Sequence, residues 1–179
     1  MPLTAKDKNG ESISILDYES PKQAIEVDGL TCAHCDEDLF IRSPSEKLDH
    51  FCHYPDSDCP SSGEGLKHLL GKNQIANMLL DQYDGEIEIE VECPVSDRIA
   101  DVLATYKGGQ RVAHELQLAS ITKKQVHARS LDYLKQGVDV CWWFGPKVST
   151  KVREFTVTTY GGAVGVSVEV SHANSLHGT

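Results

Sequence analysis

Three side chains at short spacing could together form a metal site. Asp101 lies in a predicted strand over Ile99–Tyr106, and Glu115 and Gln117 lie two residues apart in the next, over Arg111–Leu118. Residues i and i+2 of a strand point to the same face, and an antiparallel partner can place Asp101 beside them. Two carboxylates that meet suit Mg²⁺, which takes oxygen ligands and keeps several waters. Such a site supports metal-assisted hydrolysis of a phosphodiester, so these residues indicate a nuclease.

The same strand also permits a simpler interpretation, in which Glu115 and Gln117 belong to a solvated face. One face of the strand is apolar and includes Leu116, whereas the other is small and polar and includes Glu115. A polar face of this kind borders either solvent or a polar cleft. The residues alone leave both possibilities open, because short motifs often occur by chance.

Hydrophobic periodicity predicts the elements that would position these residues. The predicted elements are, in order, helix Glu64–Tyr83, strands Glu86–Cys93, Ile99–Tyr106 and Arg111–Leu118, helix Thr122–Gln136, strand Val138–Phe144, and a closing hairpin of Glu154–Tyr160 and Ala163–Val170. Strict alternation supports the first strand, and a Gly108-Gly109 turn joins the next two. The order helix, three strands, helix, strand predicts an α/β (α+β) domain, αβββαβ.

A second set of residues, near the N-terminus, has the composition of a zinc site. Cys32 and Cys35 form a Cys-x-x-Cys pair, and His53 and Cys59 follow at a spacing typical of a structural Cys₃His site. Other candidate ligands nearby are His34, His50 and Cys52. A thioredoxin-like redox pair is less favoured, because no strand-to-helix context surrounds Cys32. Two free buried cysteines are the simplest alternative.

The composition is that of an ordinary globular chain. Its 179 residues are 40% hydrophobic and 25% charged, and its formal net charge is −10. No apolar run is long enough to span a bilayer and the first residues do not resemble a signal peptide, so we expect a cytoplasmic protein without a membrane partner. The net charge disfavours a nucleic-acid partner. However, the stretch from Ile121 to Arg153, which includes Lys124, is basic and could form a DNA-facing patch or a solvated helix face.

The order of these motifs resembles the PD-(D/E)XK nuclease superfamily, and within it the CoiA-like (competence protein) family. The matching stretches are Cys32-Ala33-His34-Cys35, His50-Phe51-Cys52-His53, Glu64…His68…Lys72, Arg98-Ile99-Ala100-Asp101-Val102, Glu115-Leu116-Gln117, Gln125…Arg129…Tyr133 and Val140-Cys141-Trp142-Trp143. The resemblance implies a restriction-endonuclease-like αβββαβ core in residues 63–179. It also implies an N-terminal zinc-knuckle module in residues 1–62.

The resemblance assigns roles to the strand residues. Asp101 is similar to the strand carboxylate that ligates the catalytic Mg²⁺ or Mn²⁺, and Glu115 to its partner ligand. Gln117 stands where the superfamily most often has Lys, although the CoiA-like branch also has Gln there. A Gln side chain can hydrogen-bond water or phosphate but carries no charge. Among the zinc candidates the resemblance favours His53, with Phe51 packed inward.

The first helix carries Glu64, His68 and Lys72 at i, i+4 and i+8, which places them on one face. In the resembling fold this helix packs beside the hairpin, so Glu64 could complete the metal site and Lys72 could supply the positive charge that Gln117 lacks. The alternative is an exposed ladder of ion pairs, each worth roughly 0.2–0.5 kcal/mol.

The second helix carries Gln125, Arg129 and Tyr133, which also share a face. This face could contact the phosphates and sugars of DNA, together with Lys124, and Arg129 could do so bidentately. Ordinary helix surface is the alternative for these residues.

The preferred function is a Mg²⁺- or Mn²⁺-dependent DNA endonuclease with a structural zinc, acting in recombination or uptake on branched or single-stranded DNA. The alternative is an inactive nuclease-fold protein that binds DNA or a protein partner as an adaptor or regulator, for example in anti-defence. A zinc-stabilised transcriptional regulator fits less well, because no basic recognition helix is evident. A homodimer would suit double-strand cutting, which needs two sites.

Overall fold

The structure is a computed structural model that describes residues 2–43, 49–59, 65–166 and 168. The chain divides into two compact units, the first ending at Leu70 and the second running from Gly71 to Val168. The predicted domain boundary between residues 62 and 63 lies outside the described residues and stays a prediction. No helix in the described ranges is long and apolar enough to cross a membrane.

The first unit contains two short antiparallel pairs of strands. Its elements are β1 (Thr4–Lys6), β2 (Ser12–Ser14), α1 (Pro21–Ala24), β3 (Leu39–Arg42) and β4 (His50–His53). Strand β1 pairs with β2 and β3 pairs with β4, while the backbone of Thr31 bridges to Lys6 and Asp38. Phe51 is fully buried, as the resemblance implied. These pairs hold the two cysteine-bearing loops close together.

The second unit is built on a five-stranded sheet. Helix α2 (Leu66–Tyr83) begins in the first unit and continues into the second. The other elements of the second unit are β5 (Ile87–Val95), β6 (Arg98–Tyr106), β7 (Arg111–Gln117), α3 (Lys123–Leu134), β8 (Asp139–Phe144), α4 (Thr150–Tyr160) and β9 (Ala163–Gly165). The strand order is β5-β6-β7-β8-β9, antiparallel from β5 to β7 and parallel from β7 to β9. The predicted αβββαβ order is confirmed.

Helices cover both faces of this sheet. On one face, Ile75 and Leu79 of α2 belong to the same apolar cluster as Leu116 and Trp143. On the other face, residues of α3 and α4 pack with Trp142 and its neighbours. Strand β8 lies between two partners and is buried along most of its length, as its continuous apolar sequence predicts.

The predicted closing hairpin is wrong. Residues Thr150–Tyr160 form a helix, and β9 pairs in parallel with β8 instead of antiparallel with a preceding strand. The β-branched residues of this segment favour strands, but Val152 and Thr156 lie one helical turn apart and both are buried. Burial of that stripe against the sheet outweighs the local β propensity. Gly161, with φ of 75°, ends the helix in the left-handed conformation.

Gly71 lets α2 approach the strand that carries the predicted catalytic glutamate. A Cβ atom placed on Gly71 would lie 2.3 Å from Cδ2 of Leu116 and 3.1 Å from Cγ2 of Val168. Leu116 is only 3% exposed and cannot swing into solvent. The absence of a side chain at Gly71 therefore sets the distance between α2 and β7.

We expect Gly71→Ala to lower the free energy of unfolding by about 1 kcal/mol. An overpacking cost of about 2 kcal/mol, from the middle of the usual range, outweighs the gain of about 1 kcal/mol in helix propensity. Gly108→Ala is the matched control, because nothing lies within 4 Å of its added Cβ. Urea unfolding measures both. A Gly71→Ala protein as stable as the wild type would contradict the close approach of α2 to β7.

Candidate active site and metal centre

The predicted catalytic strands separate at the position of the predicted carboxylates. The ladder between β6 and β7 runs from Thr105 opposite Arg111 to Val102 opposite His114 and ends there. One residue further, Oδ2 of Asp101 accepts a hydrogen bond of 2.8 Å from the backbone N–H of Leu116. Strand β7 stays paired with β8 past this point. We call this separation of β6 from β7 the fork, and Asp101 and Glu115 lie on its two sides.

Glu115 is fully buried and does not point into bulk solvent. Its Oε2 pairs with the Arg129 guanidinium, and its Oε1 accepts a hydrogen bond of 2.5 Å from the Tyr133 hydroxyl. Both donors come from α3, one turn apart. A buried carboxylate needs such partners, because desolvation of an uncompensated charge is very unfavourable. The solvated-face interpretation of Glu115 is therefore wrong.

Tyr133 and Arg129 are themselves held in place. Burial, followed by the adjacent Glu115 carboxylate, raises the pKa of the Tyr133 hydroxyl, so this group stays a hydrogen-bond donor. The Arg129 guanidinium carbon lies 5.2 Å from the centre of the Trp142 ring, and Trp142 donates a hydrogen bond of 3.0 Å to Ser130 on the same helix. These contacts fix α3 against β8 and orient both partners of Glu115.

Gln117 faces an open, polar pocket of about 280 Å³ next to the fork. The pocket is lined by Arg98, Gln117, Ser120, Ile121, Gln125, Ala128 and Arg129. The amide nitrogen of Gln117 donates to the Ala119 carbonyl at 3.0 Å, and its oxygen accepts from Arg129 at 3.4 Å. The Gln117 side chain is thus oriented between the Glu115–Arg129 pair and the pocket.

Lys72 is almost completely buried, with 2% of its side chain exposed. Its Nζ lies 2.5 Å from Oε1 of Glu92, whose side chain is 11% exposed. Glu92 is in β5 between two paired positions, Val91 with Val102 and Cys93 with Ala100, so the register places it opposite Asp101. The predicted exposed ladder is wrong for Lys72, because its ammonium is inside the protein and ion-paired to a carboxylate.

The remaining predicted site residues are Glu64, Gln125 and Lys124. Glu64 lies outside the described residues. Gln125 lines the pocket, and its side chain completes a capping box with Thr122 at the start of α3. Lys124 is exposed on the first turn of the same helix. The predicted DNA-contacting face therefore divides into an exposed part at Lys124 and Gln125 and a buried part at Tyr133.

Sequence reasoning missed two residues at this site. Glu92 ends a run of alternating glutamates, and such a run predicts a solvated strand edge. However, a hairpin that pairs β5 with β6 around residues 96–97 places Glu92 opposite Asp101. Arg98 lines the pocket and donates two hydrogen bonds, of 3.0 and 2.8 Å, to Asp132. The register of β5 and β6 was the signal that could have found Glu92.

The side chains at the fork have the donor chemistry of a hard-cation site. Asp101 and Glu115 offer carboxylate oxygens, which Mg²⁺ and Mn²⁺ prefer. A carboxylate has about four acceptor positions, so the bonds from Arg129 and Tyr133 do not by themselves exhaust Glu115. The residues therefore fit a divalent cation chemically.

The four predicted zinc ligands come together in the first unit. The ligand atoms of Cys32, Cys35, His53 and Cys59 all lie within 4.8 Å of one another. The Sγ of Cys35 lies 3.4 Å from Nε2 of His53. Among the described residues, His34, His50 and Cys52 do not belong to this group. A Cys₃His set whose ligand atoms lie this close together suits one tetrahedral ion.

The local backbone and electrostatics of this cluster also suit a cation. The backbone N–H of His34 donates to Sγ of Cys32 at 3.4 Å, and the turn continues through Asp36 in a left-handed conformation. Desolvation raises the pKa of the Cys35 thiol to about 12, with smaller effects from the Cys59 and Cys32 thiols. Desolvation also lowers the pKa of His53, which favours the neutral imidazole that a metal binds. A bound cation would offset the cost of forming thiolates here.

We expect Tyr133→Phe to lower the free energy of unfolding by about 1.5–3 kcal/mol, because the buried Glu115 carboxylate loses a hydrogen-bond donor. Urea unfolding monitored by circular dichroism measures this. Tyr160→Phe is the matched control, since its hydroxyl bonds to His127 in a more exposed position. Equal stability of Tyr133→Phe and the wild type would contradict the buried hydrogen bond.

Two family models match the chain in the order of its units. The model described as "Competence protein CoiA, N-terminal domain" matches residues 17–62, and that described as "Competence protein CoiA, nuclease-like domain" matches residues 64–162. No curated protein sequence matches the chain.

Two solved structures are similar to this chain at low sequence identity. One is the crystal structure of a repair endonuclease from Pyrococcus abyssi, at 18% identity and a TM-score of 0.39, covering 55% of this chain and 47% of that chain. The other is the structure of an EndoMS–dsDNA2 complex, at 14% identity and a TM-score of 0.37, covering 68% of this chain and 52% of that chain. This chain spans about half the length of each.

Proposed function

This chain belongs to the competence protein CoiA family, and from that premise we propose that it is a divalent-metal-dependent endonuclease that hydrolyses phosphodiester bonds in DNA. Its substrate is single-stranded or branched DNA handled during recombination or uptake, in the cytoplasm. The described residues include no base-reading element, so shape or a protein partner would supply the specificity. A homodimer would place two sites on a duplex.

The observation that carries the proposal is the pair of carboxylates at the fork. Asp101 and Glu115 lie on adjacent strands where the ladder ends, and both side chains are held by hydrogen bonds. Catalytic groups that are fixed before the substrate binds need no reorganisation during the reaction. The polar pocket lined by Gln117, Gln125 and Arg129 adjoins this pair and offers donors for a DNA phosphate.

Each side chain has a separate task in this proposal. Asp101 and Glu115 would hold Mg²⁺ or Mn²⁺, which would polarise the phosphate and favour ionisation of the attacking water. Arg129 and Tyr133 keep the Glu115 carboxylate oriented. Gln117 hydrogen-bonds the phosphate or the water, and Lys72 supplies a positive charge. Gln125 and Lys124 contact the DNA backbone, and Glu64, which lies outside the described residues, would add an acidic group.

In the first unit, Cys32, Cys35, His53 and Cys59 would hold a structural Zn²⁺. Four protein ligands close the coordination sphere and leave no position for a substrate. This ion therefore stabilises the fold of the N-terminal module and takes no part in hydrolysis.

Cleavage of labelled single-stranded, duplex and branched DNA in Mg²⁺, in Mn²⁺ and in EDTA tests the proposal. We expect cutting in at least one metal and none in EDTA, and the preferred DNA identifies the substrate. No cutting from a folded, zinc-loaded protein under any of these conditions would overturn the proposal.

A second function is favoured by one observation, the engagement of both Glu115 oxygens by protein donors. If Arg129 and Tyr133 keep Glu115 from a metal ion, the nuclease-like domain would serve as a DNA- or protein-binding adaptor. Isothermal titration with Mn²⁺ distinguishes the two functions. Binding that is lost in Asp101→Asn favours the enzyme, and its absence in the wild type favours the adaptor.

A further inference from the structure

We infer that Glu92 is a positioning residue of this site: its carboxylate fixes the buried Lys72 ammonium opposite Asp101, so that Lys72 adds a positive charge to the site from the α2 side of the sheet. This inference rests on the proposed nuclease function, and it gives a task to Glu92 of β5, a strand to which the proposed function assigns none.

The first step is the position of Lys72 relative to the catalytic strand. Gly71, its neighbour in α2, packs so closely on Leu116 that a Cβ would lie 2.3 Å from that side chain. Leu116 stands between Glu115 and Gln117 in β7. The backbone of α2 at Lys72 is therefore held against β7, on the face opposite to the one that Glu115 and Gln117 share.

The second step is the direction of the Lys72 side chain. Its ammonium lies 2.5 Å from Oε1 of Glu92, and the Lys72 side chain is 2% exposed. Lysine is a strongly hydrated cation and is seldom buried to this extent, because desolvation opposes its charge. An apolar residue of similar volume would often be at least as stable in such a position. The burial of this charge therefore indicates a role other than stability.

The third step is the conformation of Glu92. Its φ is 54°, in the left-handed region that glutamate rarely adopts. It interrupts an otherwise regular pairing of β5 with β6, at the position opposite Asp101. Like charges directly opposite each other on paired strands are unfavourable. The Lys72 ammonium beside Glu92 compensates this charge, and strained backbone of this kind is concentrated at functional sites.

The acidic groups at this end of the sheet come from three neighbouring strands, and the basic groups come from the helices. They are Glu92 on β5, Asp101 on β6, Glu115 on β7, Lys72 on α2 and Arg129 on α3. Each of the two cations pairs with a glutamate, the buried Lys72 with Glu92 and the partly exposed Arg129 with Glu115. Glu92 thus holds the Lys72 charge at a fixed place at this end of the sheet.

A double-mutant cycle of the cleavage reaction tests this inference with Glu92→Gln, Lys72→Met and the double variant. If Glu92 acts through Lys72, we expect each single variant to lower kcat by about tenfold to a hundredfold with little change in KM. The double variant should then be no slower than Lys72→Met. Glu92→Asp, which keeps the charge, should recover part of the rate. Glu88→Gln, an exposed carboxylate on the same strand, is the control and should cut at the wild-type rate.

Two outcomes overturn the role of Glu92. One is a Glu92→Gln variant that cuts at the wild-type rate, and the other is a double variant in which the two losses multiply. A wild-type protein that cuts no DNA overturns the proposed function instead, and the positioning role of Glu92 with it. Urea unfolding of the same variants shows whether each single variant still folds. If one does not, the cleavage rate of the double variant, which lacks both charges, is compared directly with that of the wild type.

Discussion

Asp101→Asn is expected to lower the rate of DNA cleavage by about a thousandfold or more while leaving the fold intact. The amide oxygen of Asn can still accept the hydrogen bond from the Leu116 N–H, so the fork keeps its geometry. The substitution removes the negative charge that would hold the divalent cation. Single-turnover cleavage in Mg²⁺ and in Mn²⁺, at saturating protein, measures the effect on the chemical step.

Asp97→Asn is the matched control for this substitution, because Asp97 is an exposed aspartate in the turn between β5 and β6. It should cut at the wild-type rate. Glu115→Gln is a poorer test of charge, since one end of its amide would meet the Arg129 and Tyr133 donors and destabilise the site. Cleavage by Asp101→Asn at the wild-type rate would show that the fork is not the catalytic centre.

The part of this site that could be predicted from the sequence follows from strand geometry. The two-residue period places Glu115 and Gln117 on one face, and the short turn at Gly108-Gly109 sets a register that brings Asp101 opposite Glu115. Both features depend on residues close together in the sequence. The Cys-x-x-Cys pair is local in the same way, and its knuckle forms as expected.

The partners of the catalytic carboxylate depend on packing between distant elements. Tyr133 and Arg129 turn inward to Glu115 because α3 docks onto β7 and β8. This docking buries some side chains of one helix face and leaves others exposed. The sequence pattern of α3 predicts only that these residues share a face. The ion pair between Lys72 and Glu92 likewise needs the close approach of α2 at Gly71.

Local β propensity predicted a strand in the segment over α4, where burial against the sheet instead favours a helix. The segment over α4 is rich in Val and Thr, which favour strands, and its helical stripe consists of only two buried residues, Val152 and Thr156. Its connection from β8 runs through a tight turn at Gly145, beside Leu118. The helix then returns the chain so that β9 pairs in parallel with β8. A parallel pair needs such a crossover, whereas the predicted hairpin did not.

The zinc ligands carry the second large expected effect. We expect the purified protein to hold about one zinc per chain, and Cys35→Ser to lose it and unfold the N-terminal unit. Binding of structural zinc contributes about 10–16 kcal/mol in small zinc modules, more than the stability of a typical domain. The described strands of this unit are only three or four residues long, so we expect its fold to depend on the ion.

Cys52→Ser is the matched control for the zinc prediction, because Cys52 is a buried cysteine of β4 that lies next to His53 but outside the Cys₃His group. It should keep the zinc and the fold of the unit. Metal analysis gives the stoichiometry, and hydrogen exchange across β3 and β4 reports whether the unit is folded. A folded wild-type sample without zinc would contradict the site. Retention of zinc by Cys35→Ser together with its loss from Cys52→Ser would instead move the ligand set to the other face of β4, where His50 and Cys52 lie.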